Sequence, residues 1–369
     1  MIPFIALGEQ YERLKPQIDE RIQRVLDHGQ FILGPEVAEL EEVLAKFAGV
    51  RHVIGCSSGT DALLMALMAW GIGPGDAVFV PTFTFVSTAE VVSLAGATPV
   101  FVDIDPKTYN IDSKSLEFAV EKVKREGRLS PKAVIPVDMF GLSADYDSID
   151  AVAKRHGLKV LEDAAQSFGA LYKGKRACSF GDAAATSFFP AKPLGCYGDG
   201  GAIFLNDDET AETIRSIRVH GQGDNKYENI RIGLNGRLDT MQAAVLLVKM
   251  TVFEEEMKAK NDIAAKYTEG FRNRFVIPHI PRGSFSVWAQ YSLQASSSEE
   301  RESCLKKYKD AGIPTAIYYP KPLHLQKAFS HLGHKEGDFP VAEEISKKIF
   351  SIPMHPYLTP ELIDRIISI

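Results

Sequence analysis

The sequence predicts an α/β protein, with a doubly wound domain over residues 30–250 and a smaller α+β region after it. Three observations predict this. Short apolar runs recur along the chain: "HVIGC", "AVFVP", "TPVFVDI", "AVIPV" and "KVLEDA". Helical patterns separate them, as βαβ units require. The chain has 369 residues, enough for a large core and a second domain.

The elements follow in order. "PEVAELEEVLAKFAG" starts a helix at Pro35 and stops it at Gly49. "HVIGC" reads as a buried strand, and "TDALLMALMAWG" as a helix packed on it. The remaining apolar runs read as parallel strands. One amphipathic helix is expected from Leu238 past Lys258 toward Phe271, with the domain hinge in or after it. The expected domains are therefore 1–250 and 251–369. In the second, "FSVWAQYSLQAS" alternates like an antiparallel strand, and "RESCLKKYKDAG" is helical.

Composition narrows the function. Apolar residues make up 45% and charged residues 24%, as in ordinary globular proteins. The net charge is −6 and the basic residues are dispersed, which argues against a nucleic-acid partner. Cys56, Cys178, Cys196 and Cys304 lie far apart, which fits neither a disulfide framework nor a zinc site and points to a reducing cytoplasm. The N-terminus lacks the pattern of a signal peptide, and no apolar run is long enough to span a membrane.

Three motif-like stretches carry no chemistry. "GALYKGKR" has Arg176 where a phosphate loop needs Ser or Thr, and reads as a turn between strands. "GIGPGD" sits between a helix and a strand, the wrong order for a dinucleotide loop. Asp103 and Asp105 in "DIDP" read as strand-end turn residues rather than metal ligands.

The informative stretch is "SFFPAKPLGCYGDGGA". Pro190 and Pro193 flank Lys192, and Pro193 biases it away from α geometry. Apolar "AAATSFF" precedes it, so the lysine leaves a buried strand into a stiff loop. Burial lowers an amine's pKa, and a neutral amine attacks carbonyls. Such a lysine suits pyridoxal 5′-phosphate, whose other needs can be sought. The ring nitrogen needs a buried carboxylate, and "KVLEDAAQ" supplies Asp163 at a strand's C-terminal end. The phosphate needs hydroxyls and free N–H groups, and "SSGTDALL" supplies Ser58, Gly59 and Thr60 at a helix start. The ring face needs an apolar cover, and "PTFTFVSTAE" offers Phe85.

With these residues in place, the sequence resembles the DegT/StrS nucleotide-sugar aminotransferases. "SFFPAKPLGCYGDGGAIF", "LEDAAQSFGA", "GTDAL", "PTFTFVSTAE" and "GLNGRLDTMQAAVL" match the family's motifs across nearly the whole chain. The resemblance implies a three-layer, mostly parallel sheet of pyridoxal-phosphate fold type I. It implies that Lys192 bonds the cofactor, that Asp163 pairs with the pyridine nitrogen, and that Gln166 lies near the ring hydroxyl. Gly59, Thr60 and Ser187 would hold the phosphate, with Asn235 reaching in from a second subunit of a homodimer. Phe85 would stack on the ring. Arg237, Tyr318, Tyr319 and His324 would contact the sugar or its nucleotide.

Family members that became dehydratases carry histidine in place of the lysine, so Lys192 favours transamination. The expected reaction takes the amino group of L-glutamate, through pyridoxamine 5′-phosphate, to a keto group on a nucleotide-linked hexose. A UDP-2-acetamido-3-keto-glucuronate, used in surface polysaccharide and O-antigen synthesis, is the expected substrate. Tyr318 stands where that subgroup would carry histidine. A dTDP-linked 3-keto-6-deoxy sugar is the alternative. A cofactor-binding regulator without turnover is an alternative of another class.

Overall fold

A computed structural model of the chain describes residues 2–225 and 227–369. The chain opens with α1 (Leu7–His28) and α2 (Pro35–Ala48), which Gly49 ends at φ 75°. Then β1 (His52–Cys56), α3 (Gly59–Ala69), β2 (Asp76–Pro81), α4 (Ser87–Leu94), β3 (Thr98–Val102), α5 (Ser113–Glu126), β4 (Ser130–Val134), α6 (Tyr146–His156) and β5 (Lys159–Asp163) alternate. A hairpin of β6 (Leu171–Tyr172) and β7 (Lys175–Arg176) follows, turning at Lys173 and Gly174, both at positive φ. This is the expected turn in "GALYKGKR". Next come β8 (Ala183–Ser187), β9 (Gly201–Leu205), α7 (Asp208–Ile217) and α8 (Thr240–Met250).

The described residues form a seven-stranded sheet in the order β1-β9-β8-β5-β4-β2-β3. β9 runs against both of its neighbours, and the other pairings are parallel. A parallel neighbour needs a crossover, usually a helix. The loop from Phe188 to Gly200 has none, so β9 returns beside β8. The lysine sits in that loop. Helices cover both faces. Leu63, Met65, Val91 and Ile214 pack on Ile54, Val80 and Leu161 on one side. On the other side, Leu40, Leu44 and Leu246 pack on Val53, Ala184 and Phe204. The doubly wound, three-layer expectation therefore describes the molecule.

The rest of the chain comprises α9 (Phe253–Phe271), β10 (Ser284–Phe285), β11 (Tyr291–Gln294), α10 (Ser298–Asp310), α11 (Pro340–Lys348), β12 (Ile349–Ile352) and α12 (Pro360–Ile367). A separate apolar cluster holds it, built from Tyr267, Phe271, Tyr291, Phe350 and Ile366.

The structure corrects two expectations. The long helix from Leu238 is two helices, α8 and α9. At the break, Thr251 and Val252 donate their N–H groups to carbonyls three residues back, and the Thr251 hydroxyl donates to Val248 O. This tightened turn redirects the chain before α9. "FSVWAQYSLQAS" is also not one strand. Between β10 and β11, Val287 and Ala289 donate to the carbonyls of Gly141 and Phe140, with Trp288 between them at φ 50°. A tertiary partner thus replaces strand pairing. The 22-residue α1 went unread in the sequence; Leu14 and Ile18 seat it on Val245 and Val248 of α8.

Candidate active site

The C-terminal ends of β1, β2, β5 and β8 converge on one mouth, where open α/β sheets place ligands. Asp163 closes β5 and is 4% exposed. Its Oδ2 accepts from Thr88 Oγ1 at 2.8 Å, and its Oδ1 from the Ala165 N–H at 3.2 Å. Burial raises the pKa of this carboxyl. The Thr88 bond, the Ala165 N–H and the charge of Lys192 oppose that rise.

Lys192 lies in the loop after β8. The loop is tightly held: Lys192 N–H donates to Phe189 O at 2.8 Å, and buried Lys249 Nζ donates to Gly195 O at 2.6 Å. A Cβ on Gly195 would lie 2.4 Å from Pro190 O, so only glycine lets the loop close. Burial lowers the Lys192 pKa, and Asp163 opposes the shift. The two groups thus feel each other's charge across the mouth.

The phosphate-type cradle sits beside them. Ser58 caps α3, its Oγ accepting from the Asp61 N–H at 3.0 Å. Gly59 and Thr60 form the first turn, whose free N–H groups and dipole favour an anion. Ser187, at the end of β8, touches this turn. A Cβ on Gly59 would lie 2.7 Å from that of Ser187, and one on Gly201 would lie 2.5 Å from the Ser58 carbonyl carbon. These glycines allow β8, β9 and the helix start to share one small space.

Aromatic groups line the opposite side. Phe85 follows β2 and is 52% exposed, so its face is available to a ring. Its centroid lies 6.5 Å from that of Tyr319. Gln166 Oε1 accepts from the Phe140 N–H at 2.9 Å, and its amide donates to Tyr319 Oη at 3.3 Å. Burial, then the charge of Asp163, raises the Tyr319 pKa. Tyr318 is half-buried beside Tyr319 and Phe4.

Other expected residues lie further out. Asn235 is exposed, and Gly236 O accepts from the Ser57 N–H at 3.1 Å. Arg237 bridges to Cys56, and its Nε is buried without a hydrogen-bond partner. His324 sits apart in the core. Its Nδ1 pairs with Thr82 Oγ1 at 2.7 Å and its Nε2 with Glu343 Oε1 at 3.0 Å. Both ring nitrogens are taken up inside the chain, so the ring ties the 320s segment to β2 and presents no free donor to a sugar. Asp103 accepts from the Val341 and Ala342 N–H groups at the start of α11, a structural use. Among the described residues, no acidic, histidine or cysteine cluster could hold a metal, and no helix is long and apolar enough to cross a membrane.

Sequence reading missed Thr88. Its signal was a hydroxyl on the buried face of the first turn of α4, one turn beyond Phe85. A buried hydroxyl needs a partner, and Asp163 is that partner.

The residues present fit pyridoxal phosphate. A glycine-lined cradle stands at a helix start, a buried carboxylate has no bound cation, an amine is held below its usual range, and an aromatic face is open.

Comparison with known proteins agrees. The family model described as the DegT/DnrJ/EryC1/StrS aminotransferase family matches residues 12–369. The UDP-2-acetamido-2-deoxy-3-oxo-D-glucuronate aminotransferase of Pseudomonas aeruginosa is 51% identical over 97% of this chain and 96% of its own length. A pleiotropic regulatory protein of Geobacillus stearothermophilus is 46% identical over 98% of this chain and 95% of its own. The crystal structure of a DegT/DnrJ/EryC1/StrS aminotransferase from Brucella abortus superposes with a TM-score of 0.97 at 51% identity, covering 100% of this chain and 98% of that one. The chain belongs to the DegT/DnrJ/EryC1/StrS aminotransferase family.

Proposed function

We propose that this chain is a pyridoxal 5′-phosphate-dependent aminotransferase acting on a nucleotide-linked keto sugar. The observation that carries this reading is the pair Lys192 and Asp163. Burial lowers the pKa of the amine, and each group's charge registers at the other. A cofactor-binding scaffold without turnover needs neither, which weighs against a purely regulatory role. The cofactor, when bound, supplies an electron sink. Asp163 would hold a positive pyridine nitrogen, with Thr88 fixing its carboxylate. Gln166 and Phe85 would help to hold the ring. Gly59, Thr60 and Ser187 would hold the phosphate. Lys192 would move the proton at the reacting carbon.

The substrate we favour is a UDP-linked 2-acetamido-3-keto-hexuronate, with L-glutamate as amino donor, serving surface polysaccharide synthesis in the cytoplasm. The likeness to the Pseudomonas aeruginosa relative supports this sugar, and the unpartnered Arg237 Nε supplies a cation for a carboxylate. A dTDP-linked 3-keto-6-deoxy sugar is the second reading, consistent with Tyr318 in place of histidine. The active form is a homodimer in which Asn235 of each chain completes the other's phosphate site; its exposure supports that placement. His324 then serves through the fold of the segment carrying Tyr318 and Tyr319. The break between α8 and α9 supports a domain boundary near residue 250.

The test is a panel of UDP- and dTDP-linked 3-keto and 4-keto sugars with glutamate, read by mass. A gain of one amine on the UDP-uronate supports the proposal. Amination of the 6-deoxy sugar alone selects the second reading. Cofactor binding with no spectral response to glutamate, and no amination of any sugar, selects the regulator.

A further inference from the structure

The side-chain amide of Gln166 is held in one orientation. Its Oε1 faces the Phe140 N–H at 2.9 Å, and a backbone N–H can only donate, so the oxygen end must lie there. The nitrogen end is turned away from Phe140. One of its two hydrogens goes to Tyr319 Oη at 3.3 Å, and the second is available to a ligand.

Phe140 holds that orientation from a costly backbone conformation. It sits at φ 58°, and Gly141 at φ 97°. A non-glycine residue keeps such a φ only where its surroundings fix it. Here the fixing groups come from the segment between β10 and β11. Ala289 donates its N–H to Phe140 O at 3.1 Å, and Val287 donates to Gly141 O at 3.0 Å. Ser286 is 2% exposed. Its Oγ donates to Gly141 O at 3.0 Å and accepts from the Trp288 N–H at 3.1 Å. A Cβ on Gly141 would lie 2.8 Å from the backbone nitrogens of both Trp288 and Ala289, so glycine lets the two segments meet. Helix α9 anchors the joint in turn. Asn261 Nδ2 donates to Ser286 O at 3.0 Å, and Asn261 Oδ1 accepts from Trp288 Nε1 at 2.9 Å. On the other side, buried Asn110 accepts from the Met139 N–H at 2.8 Å and donates to Leu142 O at 3.1 Å.

We infer that Ser286 is a positioning residue for the edge of the cofactor ring: acting through Gly141 and Phe140, it holds Gln166 with the amide nitrogen toward the ring hydroxyl. The inference rests on the proposed function, which places Gln166 at that hydroxyl. An N–H donor suits the ionised ring oxygen, and an amide oxygen would repel it. Each link has a fixed direction, from hydroxyl to carbonyl, along one peptide, and from N–H to amide oxygen. If the joint loosens, the Phe140 N–H leaves Gln166 and the amide is free to turn over. Trp288 and Ala289 also line a cavity with Pro190, Ala191 and Lys192. The test must therefore separate the route through Gln166 from one through the lysine loop.

The experiment is a pH titration of the visible absorption of bound pyridoxal phosphate, with circular dichroism as the check on folding. Removing a donor leaves more negative charge on the ring oxygen, and that charge helps the neighbouring lysine-bound nitrogen keep its proton. Gln166→Ala should raise the titration by about half a pH unit or more, which is roughly a threefold gain in proton affinity. Gln166→Glu keeps an acceptor for Phe140 and has no donor, so it should rise at least as far. Ser286→Ala and Asn261→Ala should each shift it the same way, by about twofold in proton affinity. Added to Gln166→Ala, Ser286→Ala should shift it no further, because its effect runs through the missing amide. An additive shift in that double variant would assign the effect to the lysine loop and overturn the inference. A wild-type titration in folded Ser286→Ala and Asn261→Ala would also overturn it. An unshifted Gln166→Glu would overturn the amide orientation whether or not the other variants fold. A wild type with no bound-cofactor band would instead overturn the cofactor reading, and the inference with it.

Discussion

Gly59 and Ser187 meet so closely that a Cβ on Gly59 would lie 2.7 Å from the Cβ of Ser187. Gly59 opens α3 and Ser187 closes β8, so this contact brings a helix start and the strand feeding the lysine loop into one cradle. The strain of any larger residue would fall on that cradle, since Gly59 is not at a positive φ. Gly59→Ala should keep far-ultraviolet ellipticity and lower pyridoxal phosphate affinity by tenfold or more in an absorbance titration. Unchanged affinity would separate this contact from the phosphate site.

The Thr88–Asp163 bond favours the charged form of the carboxylate. Thr88 and the Ala165 N–H hold the Asp163 pKa down against burial. Thr88→Val keeps the shape but removes the donor, so the pKa rises further. A carboxyl with a raised pKa loses its charge at a higher pH on the way down. The acid limb of the kcat/KM profile should therefore move to higher pH, with a rate loss of about tenfold near neutrality, since each ~1.4 kcal/mol is a factor of ten. An unshifted limb would show that another group sets it.

These two contacts also mark what the sequence makes legible. The anchors were readable because their neighbours constrain them: prolines on both sides of Lys192, an apolar strand ahead of Asp163, a cap pattern at Ser58. Thr88 was not, since its role depends on β5 reaching α4 from 75 residues away. His324 was misplaced for the same reason, because its partners Thr82 and Glu343 come together only in the fold. The parallel strands were legible from their unbroken apolar runs. The antiparallel turn of β9 was not, because periodicity carries no strand direction. Helix α1 escaped notice because it carries Pro16 and few apolar positions, and its stability comes from packing on α8.

The proposed sharing of active sites between two chains makes a further prediction. Lys192→Ala should keep the fold, lose the visible absorption of lysine-bound cofactor and lose turnover. Asn235→Ala should weaken phosphate binding in the partner's site. Each variant alone is then inactive or nearly so. In a mixed dimer, one site carries both lesions and the other carries neither. Mixing the two after subunit exchange should restore up to about a quarter of wild-type activity, given random pairing. Failure to rescue, with exchange proven by mass, would place Asn235 in its own chain's site.

Arg237 bears on the sugar. Its Nε is buried without a partner, and its segment extends the sheet edge at Cys56, beside the cradle. A buried donor without a partner is costly, of order 1–3 kcal/mol, so an incoming acceptor gains from meeting it. A planar guanidinium pairs with a carboxylate through two parallel bonds, which an ammonium cannot do. Arg237→Lys keeps the charge and removes the fork. On a 3-keto uronate, kcat/KM should fall by tenfold or more. On the 6-deoxy analogue, which has no carboxylate, the loss should stay within about threefold. The glutamate half-reaction, followed alone by the cofactor spectrum, should change little if the fork faces the sugar. Equal losses on both sugars together with a slowed glutamate half-reaction would assign Arg237 to the amino donor, and the uronate reading would then rest on the substrate panel alone.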